Sequence, residues 1–279
     1  MSSHSLLVVD DDPAVHELLR AVLRYPDWRI ESAYDGLEGL FCVEKRAYDL
    51  IVTDVRMPGM DGLELLRRIR EIRPDAKVMV MTAESTPAAI VRAIRDQAFS
   101  YFSKPFSPSS VADMITQAVN TGHWQDDIEV VSTAPHWVSL RLRCKMETAD
   151  RLMQFVREME MDFPLEEREN IAAAFRELLM NAIEHGGKSD PRKRVQVTYV
   201  RTSRAIIYLI QDPGKGFSFD QIEHAAISNP PDDPARHLEI RAEMGVRPGG
   251  FGILLTRNLV DELIYNEQGN EVLFIKYLK

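Results

Sequence analysis

The chain has 279 residues, enough for two domains of ordinary size that each bury a hydrophobic core. Hydrophobic residues make up 45% of the sequence and charged residues 28%, which excludes a disordered chain. The net charge of −9 divides into −4 for residues 1–121 and −5 for the remainder, and no basic face stands out. A nucleic-acid-binding protein is therefore disfavoured.

The first half of the chain alternates short apolar runs with amphipathic segments. The apolar runs are Leu6–Val9, Leu50–Val52, Val78–Met81 and Tyr101–Phe102. The amphipathic segments are Pro13–Leu23, Gly36–Lys45, Gly62–Ile72, Pro87–Asp96 and Pro108–Val119. This alternation is typical of repeated βα units. It predicts a doubly wound, flavodoxin-like α/β domain with a parallel sheet over residues 1–121.

The second half has a different pattern after residues 122–135, where periodicity is lost and we expect a linker. Residues 136–279 then predict an α+β domain. Strands are expected at Trp137–Lys145, Lys193–Val200, Ala205–Gln211 and Glu271–Tyr277. Helices are expected at Thr148–Glu160 and Leu165–His185, and regular pattern returns at Gly252–Leu263. The polar segment Gly214–Gly249 is more typical of a mobile lid than of a core element.

The chain ends and the cysteines point to an intracellular location. The segment Met1–Ser5 lacks the basic and apolar regions of a signal peptide, and no apolar run is long enough to span a membrane. Cys42 and Cys144 are far apart and in no metal-ligand spacing, so neither a disulfide framework nor a zinc site is indicated. We expect a cytoplasmic protein without a membrane partner, and two buried thiols.

Chemically active side chains follow several strands of the first predicted domain. They are Asp10, Asp11 and Asp12 after the first strand, Asp54 after the third, Thr82 at the end of the fourth, and Lys104 after the fifth. In an open α/β sheet these positions meet at one edge. Clustered carboxylates require a cation, and oxygen ligands suit Mg²⁺. Asp54 is then a plausible nucleophile for a phosphoryl group held by Mg²⁺, Lys104 and Thr82.

These motifs resemble those of two-component receiver domains. The matching strings are Val8-Val9-Asp10-Asp11, Asp54-Val55-Arg56-Met57-Pro58-Gly59-Met60-Asp61-Gly62, Met81-Thr82-Ala83 and Lys104-Pro105-Phe106. The resemblance implies a phosphoacceptor at Asp54 and a cognate sensor histidine kinase. It implies Mg²⁺ on Asp11, Asp54 and the Arg56 carbonyl, with Asp10 acting through water. It also implies a switch pair, Thr82 and Tyr101. Gln97 departs from the family pattern, which usually has glycine there.

A second group of polar and glycine motifs lies in the second predicted domain. Glu177 and Asn181 are four residues apart, so they share a helix face. Asp212 follows a strand and precedes Gly214 and Gly216, which allow a ligand to approach the backbone. The string Gly249-Gly250-Phe251-Gly252 opens a helix, and a helix N-terminus suits nucleotide phosphates.

The order of these motifs resembles the GHKL ATPase superfamily, with its Bergerat-type ATP-binding sandwich. The resemblance implies that Asp212 recognises adenine and Asn181 holds the Mg²⁺ of Mg-ATP. It assigns Glu177 as general base and places Gly214, Gly216, Gly250 and Gly252 around the nucleotide. Arg241 and Arg247 are lid candidates for a phosphate contact. A histidine kinase would need a dimerising hairpin with a phosphoacceptor His, for which there is no room. The string His16-Glu17-Leu18-Leu19-Arg20 lies in the first helix and lacks the following Pro.

The opening strand and the ending Leu259-Val260-Asp261-Glu262-Leu263 are similar to anti-sigma serine kinases. This resemblance implies a serine/threonine protein kinase in a partner-switching pathway. Its partners would be an anti-sigma antagonist, a sigma factor, or both, and a homodimer is possible. Two alternatives stay open: a non-catalytic ATP-binding anti-sigma or adaptor module, and a histidine-kinase-like protein acting in trans on another chain.

Overall fold

The computed structural model describes residues 4–23, 27–83, 85–122, 124–134, 136–160, 163–216 and 252–278. Contacts divide the chain into two compact units, considered separately below. The first comprises Met1–Gln125 with Gln154–Met161, and the second comprises Asp126–Met153 with Asp162–Lys279. Among the described residues, no helix has both the length and the hydrophobicity that crossing a membrane requires.

The first unit contains a five-stranded parallel sheet in the order β2-β1-β3-β4-β5. Its strands are β1 (His4–Val9), β2 (Trp28–Ala33), β3 (Leu50–Asp54), β4 (Val78–Thr82) and β5 (Ser100–Ser103). Every residue of β3 and β4 is buried, as expected for central strands covered by helices on both faces. The predicted flavodoxin-like doubly wound fold is confirmed.

Five helices follow these strands in alternation, and each begins at a residue whose side chain caps it. The helices are α1 (Pro13–Val22), α2 (Gly36–Lys45), α3 (Gly62–Ile72), α4 (Pro87–Arg95) and α5 (Pro108–Asn120). The caps are Asp12, Asp35, Asp61, Thr86 and Ser107, whose oxygens accept backbone N–H groups of the first turn. Proline follows the cap of α1, α4 and α5, where its missing N–H costs nothing. Local sequence thus sets each helix start, directly after the loops at the carboxyl edge of the sheet.

The second unit contains a six-stranded antiparallel sheet in the order β10-β11-β9-β8-β7-β6. Its strands are β6 (Ile128–Ala134), β7 (Trp137–Arg143), β8 (Arg194–Arg201), β9 (Ala205–Gln211), β10 (Glu262–Tyr265) and β11 (Glu271–Tyr277). Its helices are α7 (Leu165–Asn181), α8 (Gly252–Leu259) and the first part of α6 (Met146–Met159), whose residues from Gln154 onward are counted in the first unit. The predicted α+β architecture is confirmed.

Three local features of the second unit differ from the sequence pattern. The stretch expected to be linker contains β6, which pairs antiparallel with β7 and has an irregular register between Val130 and Ser132. The helical pattern expected through Leu263 ends at Leu259, and β10 follows. The long helix α7 ends in a π-helical turn at Ala182–Gly186. Such turns are rare and are frequent at functional sites.

Aromatic side chains form the centre of the second core. Tyr208 on β9 lies 5.0 Å from Phe175, 5.0 Å from Tyr199 and 4.9 Å from Phe274, measured between ring centroids. Phe175 belongs to α7 and is fully buried, so these contacts hold α7 against the sheet. Because α7 also carries Glu177 and Asn181, the core fixes the height and rotation of both side chains.

The loop after α4 allows a stability prediction. Gln97 adopts a left-handed backbone with φ of +59°, which is unfavourable for residues other than glycine. Gln97→Gly should raise the free energy of unfolding of the first unit by about 0.5–1 kcal/mol, the strain relieved less the entropy that glycine adds to the unfolded chain. Chemical denaturation followed by tryptophan fluorescence measures this in a Trp137→Phe background, which leaves Trp28 and Trp124 of the first unit as reporters. Gln97→Ala in the same background is the control that should bring no gain. Equal stability of the two variants would contradict the prediction.

Candidate functional site

Two buried carboxylates lie side by side at the carboxyl edge of the parallel sheet. Asp10 directly follows β1 and Asp54 ends β3, and these strands are neighbours with Val9 paired to Thr53. Asp10 is 0% exposed and Asp54 4% exposed. Two carboxylates taken out of water this close together are unstable unless cations or N–H donors compensate them.

Lys104 compensates both groups. Its Nζ lies 2.8 Å from Asp10 Oδ2 and 2.7 Å from Asp54 Oδ1. The second Asp54 oxygen accepts the Arg56 backbone N–H at 2.6 Å. Burial raises the pKa of Asp54, and Lys104 opposes that rise. For Lys104 the burial that would lower its pKa is outweighed by the two carboxylates, so its pKa is raised and it stays charged.

The predicted switch residues lie next to this cluster. Thr82 ends β4 and is fully buried, and its carbonyl accepts the Lys104 backbone N–H at 2.6 Å. Tyr101 on β5 is also fully buried, and burial raises its pKa to about 12. The structure therefore brings Asp10, Asp54, Thr82 and Lys104 together as predicted and places the Tyr101 ring inside the fold.

The donor set at this edge fits a hard divalent cation. Asp11 and Arg56 are exposed and directly follow Asp10 and Val55 in the chain. Across the described ranges, no group of three or more His, Cys, Asp or Glu side chains is placed to hold a metal alone. Mg²⁺ does not need one, since it binds through one or two carboxylates and keeps several waters. Asp11, Asp54 and the Arg56 carbonyl would hold it, with Asp10 acting through water.

Gly62 packs directly against the main chain of Asp54, a role that sequence reasoning missed. Its N–H donates to the Val55 carbonyl at 3.0 Å, and a Cβ at Gly62 would collide with the backbone carbonyl of Asp54. Because the obstacle is main chain, it cannot rotate away. The start of α3 therefore packs directly on the phosphoacceptor candidate, and the signal for this was the glycine immediately after the Asp61 cap.

The second candidate site begins on α7. The Asn181 amide nitrogen lies 3.4 Å from Glu177 Oε1, so the two side chains meet on one helix face as predicted. Burial raises the pKa of Tyr265 at the end of β10, and the negative charge of Glu177 raises it further. Sequence reasoning missed Tyr265, because β10 was not separated from the preceding helix.

Asp212 lies where β9 ends, against the turn that closes α7. Its Oδ1 accepts the Gly214 N–H at 2.7 Å, and burial raises its pKa. A Cβ at Gly186 would collide with the Asp212 carboxylate, and one at Gly187 would collide with Cys144, whose thiol is buried. The π-helical turn therefore ends at Gly186, which packs on the Asp212 carboxylate, and the next residue, Gly187, packs on Cys144; sequence reasoning assigned neither glycine a role.

The predicted glycines have different surroundings. A Cβ at Gly252, the first residue of α8, would collide with Glu177 Oε1, so α8 starts against the proposed base. Gly216 has φ of +75° and packs on the Gln268 backbone, which gives it a structural reason besides the predicted nucleotide contact. Three other predicted positions, Gly250, Arg241 and Arg247, lie outside the described residues.

Comparison with known protein families identifies both halves. Residues 6–116 match the family of the response regulator receiver domain, and residues 142–276 match the histidine kinase-like ATPase domain. These matches confirm the receiver and GHKL resemblances.

Similar proteins share the first half of the chain. Response regulator MprA of Mycobacterium avium is 35% identical over 127 residues, covering 46% of this chain and 56% of that protein. Transcriptional regulatory protein TrcR of Mycobacterium tuberculosis is 37% identical over 102 residues, covering 37% and 40%. The chain thus spans about half the length of these curated relatives. A CheY-like receiver structure from Methanospirillum hungatei is 28% identical with a TM-score of 0.41, covering 43% of this chain and 95% of that one.

The packing of Gly62 predicts the effect of one added methyl group. Gly62→Ala should destabilise the first unit by about 1–3 kcal/mol, the usual cost of overpacking, because the Asp54 backbone must move. Gly122→Ala is the matched control, since a Cβ at Gly122 meets nothing within 4 Å. Denaturation of both full-length variants measures the difference. Equal stability of the two would show that the Asp54 backbone has room to yield.

The contact between Gly252 and Glu177 predicts non-additive effects. Gly252→Ala should displace the Glu177 carboxylate and weaken binding of a non-hydrolysable ATP analogue, although alanine by itself favours a helix over glycine. In a Glu177→Ala background the same substitution should have almost no effect, because the colliding oxygen is gone. Calorimetric titration of the four proteins measures both steps. An equal loss in both backgrounds would contradict the assigned collision.

Proposed function

The chain contains a response regulator receiver domain followed by a histidine kinase-like ATPase domain, and from this we propose that it is a phosphorylation-controlled protein kinase. The receiver would span residues 1–121, and the ATP-binding output domain, expected over 136–279, would also include β6 from the stretch first expected to be a linker. A cognate sensor histidine kinase would supply the phosphoryl group to Asp54. The observation that carries the proposal is the ion cluster of Asp10, Asp54 and Lys104.

The roles at the receiver edge follow from these distances. Asp54 Oδ1 would attack phosphorus as the nucleophile, and Lys104, already at 2.7 Å from that oxygen, would neutralise an oxygen of the incoming phosphoryl group. Bound Mg²⁺ would supply further positive charge for the transferring group. Phosphate would draw the Thr82 hydroxyl inward and fix Tyr101, changing the surface formed by α4 and β5.

The roles at the second site follow from the α7 face. The Asn181 amide nitrogen faces Glu177 at 3.4 Å, which leaves its oxygen as a ligand for the Mg²⁺ of Mg-ATP. Asp212, fixed by the Gly214 N–H, would recognise the adenine amino group. Glu177 would take the proton from a Ser or Thr hydroxyl of the protein substrate. The substrate would be an anti-sigma antagonist in a partner-switching pathway, and a sigma factor would be the alternative partner.

The first half of the proposal is tested by phosphorylation with acetyl phosphate and Mg²⁺. Intact-mass spectrometry should show one added phosphoryl group on the wild type and none on Asp54→Asn, whose amide is not a nucleophile. Asp113→Asn is the matched control, because Asp113 is exposed on α5 and should leave the reaction unchanged. A wild-type chain without added mass would overturn the receiver function.

The second half is tested with γ-labelled ATP and the proteins that a pull-down from native lysate recovers. Acid-stable label on a recovered protein is expected. Glu177→Gln should reduce it by about 100-fold or more, whereas Glu166→Gln, exposed on the same helix, should not. Acid-labile label would identify the histidine-kinase-like alternative, and ATP binding without transfer would identify a non-catalytic adaptor. Either result would overturn the serine/threonine kinase assignment.

A further inference from the structure

One buried histidine contacts the carboxyl edge of the parallel sheet, where Asp10 and Asp54 lie, and has no part in the proposed phosphoryl transfer. His16 lies on α1, six residues after Asp10, and is 1% exposed. Its Nε2 lies 2.8 Å from the backbone carbonyl oxygen of Asp10. A carbonyl oxygen only accepts hydrogen bonds, so Nε2 carries the hydrogen and donates it. Nδ1 has no partner within the described part of the chain.

The Asp10 carbonyl lies just beyond the last main-chain hydrogen bond that ties this segment to the sheet, from the Asp10 N–H to the Ala33 carbonyl at 3.1 Å. Parallel pairing of β1 with both neighbours ends at Val9, which pairs with Ala33 on one side and Thr53 on the other. Beyond Val9 the backbone turns into α1, and a buried carbonyl in such a turn needs its own donor. His16, the fourth residue of α1, supplies that donor from the first turn of the helix.

The turn also carries three consecutive carboxylates that repel one another. The Asp10 side chain is held by Lys104 and by the Asp12 N–H, which donates to Asp10 Oδ1 at 2.9 Å. These contacts fix the side chain, whereas the His16 bond fixes the main chain from which Asp10 and Asp11 project. The Tyr34 ring, 4.7 Å from the imidazole between centroids, packs against His16.

We propose that His16 is a positioning residue for the receiver site, holding the Asp10–Asp12 turn in the conformation that binds Mg²⁺. The inference rests on the proposed function of this edge. It predicts that a side chain with an N–H at the position of Nε2 replaces histidine, whereas one with its N–H at the position of Nδ1 does not. Glutamine meets the first description and asparagine the second, so the two amides form a matched pair.

The test uses the full chain as wild type, His16→Gln, His16→Asn and His16→Leu. Mg²⁺ affinity is measured by isothermal titration calorimetry with MgCl₂ alone. His16→Asn and His16→Leu should bind about 10- to 100-fold more weakly, the usual effect of losing a group that orients a metal ligand, and His16→Gln should stay near wild type. Hydrogen exchange of the metal-free proteins supplies a second readout. The amides of Asp10, Asp11, Asp12 and Ala14 should exchange faster in the asparagine and leucine variants only.

The outcomes separate this inference from the proposed function. If the wild type neither binds Mg²⁺ nor gains a phosphoryl group, the proposed function fails, and the exchange data still decide whether His16 holds the turn. If His16→Leu does not fold, the glutamine and asparagine variants decide. Equal exchange and equal Mg²⁺ affinity in those two variants would overturn the positioning role. Faster exchange and weaker affinity in asparagine, restored by glutamine, would establish it.

Discussion

The receiver unit depends on one interaction, the double contact of Lys104 with Asp10 and Asp54. Both carboxylates are almost fully buried, and their mutual repulsion would destabilise the contact between β1 and β3 at this edge without a cation between them. One ammonium group cannot neutralise both, so the cluster keeps an excess negative charge. That excess is the physical reason why the edge suits a divalent cation and then a phosphoryl group, since each compensates charge that the protein alone leaves uncompensated.

In the second unit the candidate site depends on close packing around backbone atoms, and not on compensation of buried charge. Four glycines lie where a ligand or a side chain comes close to the backbone. Gly186 packs on Asp212 and Gly252 on Glu177, both of them candidate site residues. Gly187 packs on the buried thiol of Cys144. The fourth, Gly214, donates its N–H to Asp212. The π-helical turn ends at Gly186 and places this glycine against Asp212 at the end of β9. The site is therefore made from element ends that meet without side chains between them, on a helix that the aromatic core fixes.

Periodicity was sufficient to predict most elements of the fold. Apolar runs alternating with amphipathic segments predicted the parallel sheet and its helices, because this signal is local. No apolar run marked β2, β6 or β10, for a shared reason. All three are edge strands whose exposed positions dilute the apolar alternation, so only pairing with β1, β7 or β11 reveals them. The π-helical turn was also invisible, because its spacing follows from the contacts of Gly186 and Gly187 and not from residue type.

The site residues also divide into those that a local sequence pattern predicts and those that only the folded structure reveals. Asp54, Lys104 and Thr82 could be predicted because strand ends in a parallel sheet converge whatever the side chains are. His16 and Gly62 could not, since their contacts are with backbone carbonyls, which no residue pattern encodes. Histidine at a buried helix position is ordinarily a core residue, and glycine after a cap is ordinarily a helix start. Both become meaningful only once the Asp10 and Asp54 main chains are located. A receiver site therefore needs two sets of residues. One set carries or compensates charge, and the sequence pattern predicts it. The other set fixes the backbone from which the charged side chains project, and only the structure identifies it.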